Sequence, residues 1–180
     1  MFREHVTVHR SNKVEEQTNV GSDNYLMQHS HVGHNCNVGN HVILVSGALL
    51  GGHATVDDRA IISGNCLVHQ FVRIGALSMM QGGAAMSKDL PPFTIGREYN
   101  GVCGLNTIGL RRAGFSPTER LELKELYHAL FRAGVNVRAA AVAAADRFSS
   151  GPAKTMLEFV RTSKRGVCAD RGSRGDEEET

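Results

Sequence analysis

A histidine-rich segment at residues 28–36, QHSHVGHNC, contains the side chains best suited to chemistry. A neutral imidazole can accept a proton from a hydroxyl near physiological pH, so a histidine here is a candidate general base. Imidazoles also bind zinc, but a catalytic zinc site usually needs about three converging protein ligands. His31 and His34 are close in sequence and no third ligand follows from the spacing, so we expect no metal. The remaining possibility is that these histidines are exposed and have no role.

The segment is part of a six-residue repeat that organises the chain between residues 20 and 86. From Ser30 to Ala84, the residue four positions after each large residue is Ser, Cys, Val or Ala. Such a repeat predicts a parallel β-helix, in which large residues fill a prism and small residues face inward near its corners. Three sextets form one triangular coil, so residues eighteen apart are stacked. Every sixth residue is aliphatic or Met: Val20, Leu26, Val32, Val38, Leu44, Leu50, Val56, Ile62, Val68, Ile74, Met80 and Met86.

Counting in steps of eighteen places the candidate residues in outward-facing columns. Gly52 and then Gln70 follow His34 in one column, and His53 follows Asn35 in the next. A glycine N–H one coil away, at roughly 5 Å, can donate to a developing oxyanion without a side chain in the way. The arrangement predicts acyl transfer, with His34 as the base and Gly52 as the oxyanion donor.

The repeat also predicts how the rest of the chain is divided. It is already in phase at Phe2, and the polar run at residues 11–19 is expected to leave the coil although Val14 keeps the phase. Pro91-Pro92 cannot donate to a β-ladder, so the β-helix is expected to stop there. We predict a β-helix at 1–92, a connection with an extended piece and a short basic helix at 93–115, an α-helical domain at 116–168 and a disordered tail at 169–180.

Helix start signals define the C-terminal domain. Residues 116–119, SPTE, form a capping box with proline at the first helical position, which predicts a helix to Gly134. Asn136 is a candidate cap for a second, alanine-rich helix to about Phe148. Gly151 and Pro152 begin a third.

Composition excludes several classes of protein. The formal net charge of +2 gives no reason to expect nucleic acid. No run of about 18 apolar residues is present, and the N-terminus lacks the apolar core of a signal peptide. The four cysteines form no C-x-x-C motif, and Cys36 and Cys66 fall at small inward positions. A reduced, cytoplasmic protein is the expected reading.

An ordered set of motifs resembles the acyl-ACP–UDP-N-acetylglucosamine O-acyltransferase family, which performs the first step of lipid A biosynthesis. The motifs are VGSDNYLMQHSHVGHNCNVGN, GALLGGHATVDDRAIISG, VHQFVRIGA, SKDLPPF and GLRRAGFS, and the resemblance spans about residues 2–168. It implies a left-handed parallel β-helix of hexapeptide repeats, a β-solenoid, with a small α-helical C-terminal domain. It also implies a homotrimer with the active site between subunits, acyl carrier protein and a UDP-amino sugar as substrates, and no cofactor.

The resemblance also implies roles for individual residues. His34 matches the general base that deprotonates the sugar 3-hydroxyl, and Gly52 matches the oxyanion N–H. Gly82 matches the position that limits acyl length, which implies a long hydroxyacyl group. Arg111, Arg112, Lys164 and Arg165 are candidates for the surface that receives acyl carrier protein. The candidate substrate-binding residues are His31, Asn35, His53, His69, Gln70, Asn106 and Arg112.

Three departures from the family pattern matter. Asn35 replaces an acid beside the base, and an amide cannot stabilise an imidazolium by charge. Ile108 replaces an acidic residue near the nucleotide. The family's N-terminal coils, about the first third of the usual chain, have no counterpart. Two alternatives stay open. One is a related hexapeptide N-acyltransferase acting on an amine, and the other, which these departures suggest, is a truncated β-helix that serves as a non-catalytic scaffold.

Overall fold

In the computed structural model, which describes residues 1–172, short strands wind into a triangular prism. Each strand covers two residues, and turns at the corners connect consecutive strands. In chain order they are β1 (Thr7–Val8), β2 (Asn19–Val20), β3 (Tyr25–Leu26), β4 (His31–Val32), β5 (Asn37–Val38), β6 (Ile43–Leu44), β7 (Leu49–Leu50), β8 (Thr55–Val56), β9 (Ile61–Ile62), β10 (Leu67–Val68), β11 (Arg73–Ile74), β12 (Met79–Met80) and β13 (Ala85–Met86).

Parallel pairing between coils produces the three sides of the prism. The first sheet contains β1, β4, β7, β10 and β13, the second contains β2, β5, β8 and β11, and the third begins with β3, β6, β9 and β12. Residues eighteen apart are partners, as Val32 is with Leu50 and Leu44 is with Ile62. The predicted β-helix and its eighteen-residue coil are confirmed.

The interior is filled as the repeat predicts. The large inward residues from Leu26 to Met86 are at most 3% exposed, and the small inward residues, including Cys36 and Cys66, are buried with them. All four cysteines are free thiols. Burial raises the pKa of the Cys36 and Cys66 thiols above the ordinary value, so both are poor nucleophiles.

The turns show a regularity that the residue types do not reveal. Every sixth residue from Asp23 to Gly83 has a positive φ, and most of them are not glycine. A positive φ is unusual for residues as bulky as Phe71. The backbone N–H of Phe71 donates to the carbonyl of Gly52 one coil earlier at 3.1 Å. The backbone N–H of His53 donates in the same way to the His34 carbonyl at 2.9 Å. Hydrogen bonds between coils therefore impose the left-handed conformation.

Residues 9–18 form a loop that leaves the coil, close to the predicted 11–19, but Asn19 belongs to β2 and pairs with Asn37. Thr7 pairs with His31, twenty-four positions later instead of the regular eighteen, so six additional residues lie outside the prism. Val14 keeps the six-residue phase but is 98% exposed. The loop projects beside the corner between the first and second sheets, next to Asn35.

The double proline does not end the stacking, contrary to the expectation. Leu90 pairs with Ile74 just before Pro91. After Pro92, β14 (Thr94–Arg97) adds to β12 in parallel, and β15 (Gly101–Leu105) then pairs antiparallel with β14. Pro91 and Pro92 occupy the corner between these pairings, where no ladder N–H is required. The third sheet thus extends past residue 92.

Four helices follow within the described part of the chain, close to the predicted positions. The capping box at Ser116 is formed in full, and Asn136 and Ser150 cap the next two long helices. The helices are α1 (Thr107–Arg112), α2 (Pro117–Phe131), α3 (Val137–Ala144) and α4 (Gly151–Thr162). The first helix is basic, as expected, and α2–α4 enclose a second apolar core.

The last described residues do not match the predicted tail. Ala169 and Asp170 form β16, which joins the third sheet beside β15, and Asp170 accepts a hydrogen bond from Arg132 at 3.0 Å. The rest of the predicted tail, residues 173–180, lies outside the described residues. No helix within residues 1–172 has the length and apolar character needed to cross a bilayer.

Replacing Leu44 with alanine is expected to lower the free energy of unfolding by about 2–5 kcal/mol. Leu44 is 0% exposed and stacked between Leu26 and Ile62, so the cavity cannot collapse easily. Urea unfolding followed by circular dichroism measures the change. Leu121→Ala, at a residue that is 57% exposed on α2, is the matched control, and its expected change is below about 0.5 kcal/mol. Equal effects of the two substitutions would contradict the expectation that packing in the prism core stabilises the fold.

Candidate active site

His34 and Gly52 are in contact at the corner between the first and second sheets. His34 follows β4 and Gly52 follows β7, so the pairing of these strands stacks the two residues. A Cβ built on Gly52 would lie 2.6 Å from both Nε2 and Cε1 of the His34 ring. Only glycine leaves the imidazole in this place. Gln70 follows one coil further and is exposed.

The backbone N–H of Gly52 differs from its neighbours. The backbone N–H of Gly51 donates to the Val68 carbonyl at 2.8 Å, and the backbone N–H of His53 donates to the His34 carbonyl at 2.9 Å. No described residue accepts from the N–H of Gly52. At the next corner, the corresponding N–H of Asn40 donates to the Asp58 carboxylate at 2.7 Å. The N–H groups of His34, Gly64 and Gln70, at the same position in their sextets, likewise have no acceptor among the described residues. Gly52 is distinguished by the imidazole that lies against it.

Asn35 connects the imidazole to the loop of residues 9–18. Its Oδ1 lies 2.8 Å from Nδ1 of His34, and its Nδ2 donates to the Glu16 carboxylate at 2.6 Å and to Ser11 Oγ at 2.7 Å. Lys13 Nζ donates to the same carboxylate at 2.5 Å. This hydrogen bond holds the pKa of Glu16 below its ordinary value, so the side chain is ionised at neutral pH.

His53 forms the other wall of the site. Its ring meets that of His34 edge-on at a centroid distance of 5.2 Å and stacks on Phe71 at 4.6 Å. Its Nδ1 lies 3.9 Å from a Glu16 carboxylate oxygen. The two predicted columns therefore lie side by side as the eighteen-residue count requires.

His31 and His69 border an apolar groove on the outer face of the first sheet. The groove has a volume of about 370 Å³ and is lined by Leu49, Leu67 and Tyr99 among others. Nδ1 of His31 is 2.7 Å from the Thr7 hydroxyl. Partial burial, and after it the neighbouring His9, lowers the pKa of His31 and favours the neutral ring.

His69 lies at the other end of this groove, beside the C-terminal domain. Nδ1 of His69 is 3.3 Å from a guanidinium nitrogen of Arg165, which also donates to the carbonyl of Ser87. One of the four basic candidates for carrier-protein contact is therefore adjacent to a candidate substrate-binding residue.

Asn106 and Arg112 lie elsewhere, on the outer face of the third sheet. Both border a cavity of about 520 Å³ together with Ile61, Met79 and Ile108. The side chain of Asn106 is engaged within the chain, because its Oδ1 accepts from Gly109 and its Nδ2 donates to the Leu77 carbonyl. Arg112 and Ile108 are exposed.

Gly82 lies at the corner between the third and first sheets. It follows β12, and a Cβ built on it would meet only the Gly64 carbonyl, at 3.7 Å. A side chain at this position would therefore project outward. Within one chain, Gly82, Asn106 and Arg112 are not on the corner that carries His34.

Glu16, Lys13 and Ser11 are residues of this site that are not among the candidates predicted from the sequence. They come from the loop, whose position beside Asn35 depends on how the chain leaves the coil. The available signal was the sextet around Val14, which keeps the apolar phase among charged neighbours. Within residues 1–172, no three His, Cys, Asp or Glu side chains converge as metal ligands.

Comparisons with known proteins agree with this fold. The family model described as UDP-N-acetylglucosamine O-acyltransferase, domain 2, matches residues 89–168. A UDP-N-acetylglucosamine acyltransferase structure from Campylobacter jejuni is 30% identical with a TM-score of 0.88, and the alignment covers 93% of this chain and 67% of that one. The corresponding Francisella novicida structure is 35% identical with a TM-score of 0.87, over 94% of this chain and 63% of that one.

A curated relative extends the match along the sequence. The acyl-[acyl-carrier-protein]–UDP-N-acetylglucosamine O-acyltransferase of Burkholderia lata is 42% identical over 173 residues, which is 92% of this chain and 66% of the relative. The chain thus spans 66% of the length of the curated relatives it matches.

The fold and the stacked histidine corner define a left-handed hexapeptide-repeat β-helix protein with an α-helical C-terminal domain, as the resemblance implied. The chain belongs to the UDP-N-acetylglucosamine O-acyltransferase family.

Proposed function

We propose that this protein transfers a hydroxyacyl group from acyl carrier protein to the 3-hydroxyl of UDP-N-acetylglucosamine, the first step of lipid A biosynthesis. The observation that carries the proposal is the contact between the His34 imidazole and Gly52, whose N–H has no acceptor among the described residues. A base and an oxyanion donor side by side are the groups that direct acyl transfer requires. The names of the relatives support this choice of substrates.

In the proposed reaction, Nε2 of His34 takes the proton from the sugar 3-hydroxyl as its oxygen attacks the thioester carbonyl. The N–H of Gly52 stabilises the resulting oxyanion. When the C–S bond breaks, the departing thiolate receives the proton from His34, so alcohol and thioester become ester and thiol. No covalent enzyme intermediate and no cofactor take part. The apolar groove beside His31 and His69 accommodates the acyl chain.

We further propose that the working enzyme is a homotrimer whose site is completed between subunits. The support is geometric, because Asn106 and Arg112 lie on the third sheet whereas His34 lies at the corner of the first and second. A neighbouring copy would bring its third-sheet face toward that corner and supply the nucleotide contacts. Gly82 would then border the acyl groove and permit a long chain. The free thiols agree with a cytoplasmic location.

The proposal predicts an ester product that depends on the acceptor. Purified protein is incubated with hydroxyacyl carrier protein and either UDP-N-acetylglucosamine or its 3-amino analogue, and products are identified by mass spectrometry. The expected product forms with the 3-hydroxyl sugar and is cleaved by mild alkali, as esters are. Product with only the amine would establish the N-acyltransferase alternative. No product with either acceptor would favour the scaffold, which the replacement of two family acids by Asn35 and Ile108 suggested.

A further inference from the structure

The loop of residues 9–18 places a carboxylate behind the His34–Asn35 pair. Glu16 is nineteen residues before Asn35 in sequence, yet its Oε2 accepts from the Asn35 amide at 2.6 Å. The Asn35 oxygen in turn lies 2.8 Å from Nδ1 of His34. A continuous path of two hydrogen bonds therefore joins the imidazole to an anion.

We propose that Glu16 is a positioning residue for the base, which replaces the missing neighbouring acid by orienting the Asn35 amide and placing a negative charge behind the His34 ring. The inference rests on the proposed acyl transfer by His34 and deepens it.

The orientation follows from donor and acceptor chemistry. An ionised carboxylate can only accept, so Asn35 must turn its NH₂ group toward Glu16 and its oxygen toward His34. The backbone N–H of Asn12 donates to the same oxygen at 3.3 Å and supports this orientation. His34 must then donate from Nδ1, which leaves the lone pair on Nε2. That nitrogen lies beside Gly52 and is the one that must accept the substrate proton.

The negative charge of Glu16 also favours His34 as the base. During the reaction His34 becomes an imidazolium, which a nearby carboxylate stabilises. The amide between them is neutral, so no proton travels to Glu16. The other charged or titratable groups around the pair are His53, at 3.9 Å from the carboxylate, and Lys13, which pairs with it at 2.5 Å. Glu16 is 40% exposed, so its effect is expected to be moderate.

The two loop charges give a test with opposite signs. In Glu16→Gln, we expect kcat to fall about tenfold with KM within about twofold, because ground-state sugar binding is unaffected. The midpoint of the acid limb of the pH profile of kcat/KM should shift to lower pH, because His34 loses its neighbouring anion and protonates less readily. In Lys13→Gln, the limb should move the other way, because the Glu16 charge is no longer offset. Glu15→Gln, at the adjacent exposed carboxylate, is the matched control and should change neither.

The double variant Glu16→Gln with Asn35→Asp provides rescue, because it returns a carboxylate to the position beside His34. We expect it to recover most of the lost kcat. A second readout is the NMR titration of the His34 ring in wild type and the three single variants, which needs no turnover. Ring shifts in the stated directions without acyl transfer would contradict the proposed function but support the positioning role. Equal behaviour of Glu16→Gln and Glu15→Gln in both readouts would overturn the inference about Glu16.

Discussion

Replacing His34 with alanine should lower kcat for acyl transfer by about 10²–10⁴-fold, the usual contribution of a general base. Among the described imidazoles, that of His34 alone is both in contact with Gly52 and hydrogen-bonded through Nδ1 to Asn35. The measurement is transfer from hydroxyacyl carrier protein to UDP-N-acetylglucosamine, together with the affinity for the nucleotide sugar. Affinity should change by less than about threefold, because the base acts in the transition state.

His34→Asn and His41→Asn form the matched pair for this prediction. His41 is exposed at the corner between the second and third sheets, where its φ of 56° is one that asparagine tolerates. The His41 variant should retain full activity and the His34 variant should not. Comparable rates for wild type and both His34 variants would exclude His34 as the base. Acyl transfer itself would still be supported by that result.

Gly52→Ala should also be damaging, with an expected loss of about 10²-fold in kcat. The new methyl group would lie 2.6 Å from Nε2 and Cε1 of His34, so the ring must move away. Alanine keeps the backbone N–H. Gly52 does not have a positive φ, so alanine can adopt the same backbone conformation. The loss therefore reports the displaced imidazole, because misplacement of a catalytic group by about 1 Å can cost 10²-fold.

Gly64→Ala is the control for Gly52→Ala. Gly64 occupies the same position in its sextet at another corner, and a Cβ there would meet the Ser46 carbonyl at an ordinary 3.5 Å. Both variants should unfold within about 3 °C of wild type, but only Gly52→Ala should lose activity. Full activity in Gly52→Ala would show that the His34 ring need not lie over this glycine during catalysis.

The six-residue repeat was sufficient to predict the prism and the contact between His34 and Gly52 at its corner. A parallel β-helix converts a fixed separation in sequence into a fixed contact in space, so counting eighteen residues from His34 reached Gly52 without any tertiary information. The same property explains why the inward residues were predicted correctly. The helices of the C-terminal domain were predictable for another reason, since caps such as Ser116 and Asn136 are local signals.

Prediction failed where the chain departs from that periodicity. The double proline suggested an end, but β14 still adds to β12 because the prolines occupy a corner that needs no N–H donor. Ala169 and Asp170 looked like the start of a tail, yet the edge of β15 pairs with them. In both cases a neighbouring strand offered backbone partners that local composition does not indicate.

The folded structure was needed to find the charged group behind the Asn35 amide and the faces on which the candidate residues lie. In the sequence, Asn35 indicated the loss of an acid beside His34. In the folded protein, the loop of residues 9–18 places the Glu16 carboxylate on the far side of the Asn35 amide. Asn106 and Arg112, which the resemblance places in a site between subunits, border a different face of the prism from His34 within one chain. The physical reason is that loops and the connection to α1 obey no repeat, so their contacts depend on where the whole chain folds.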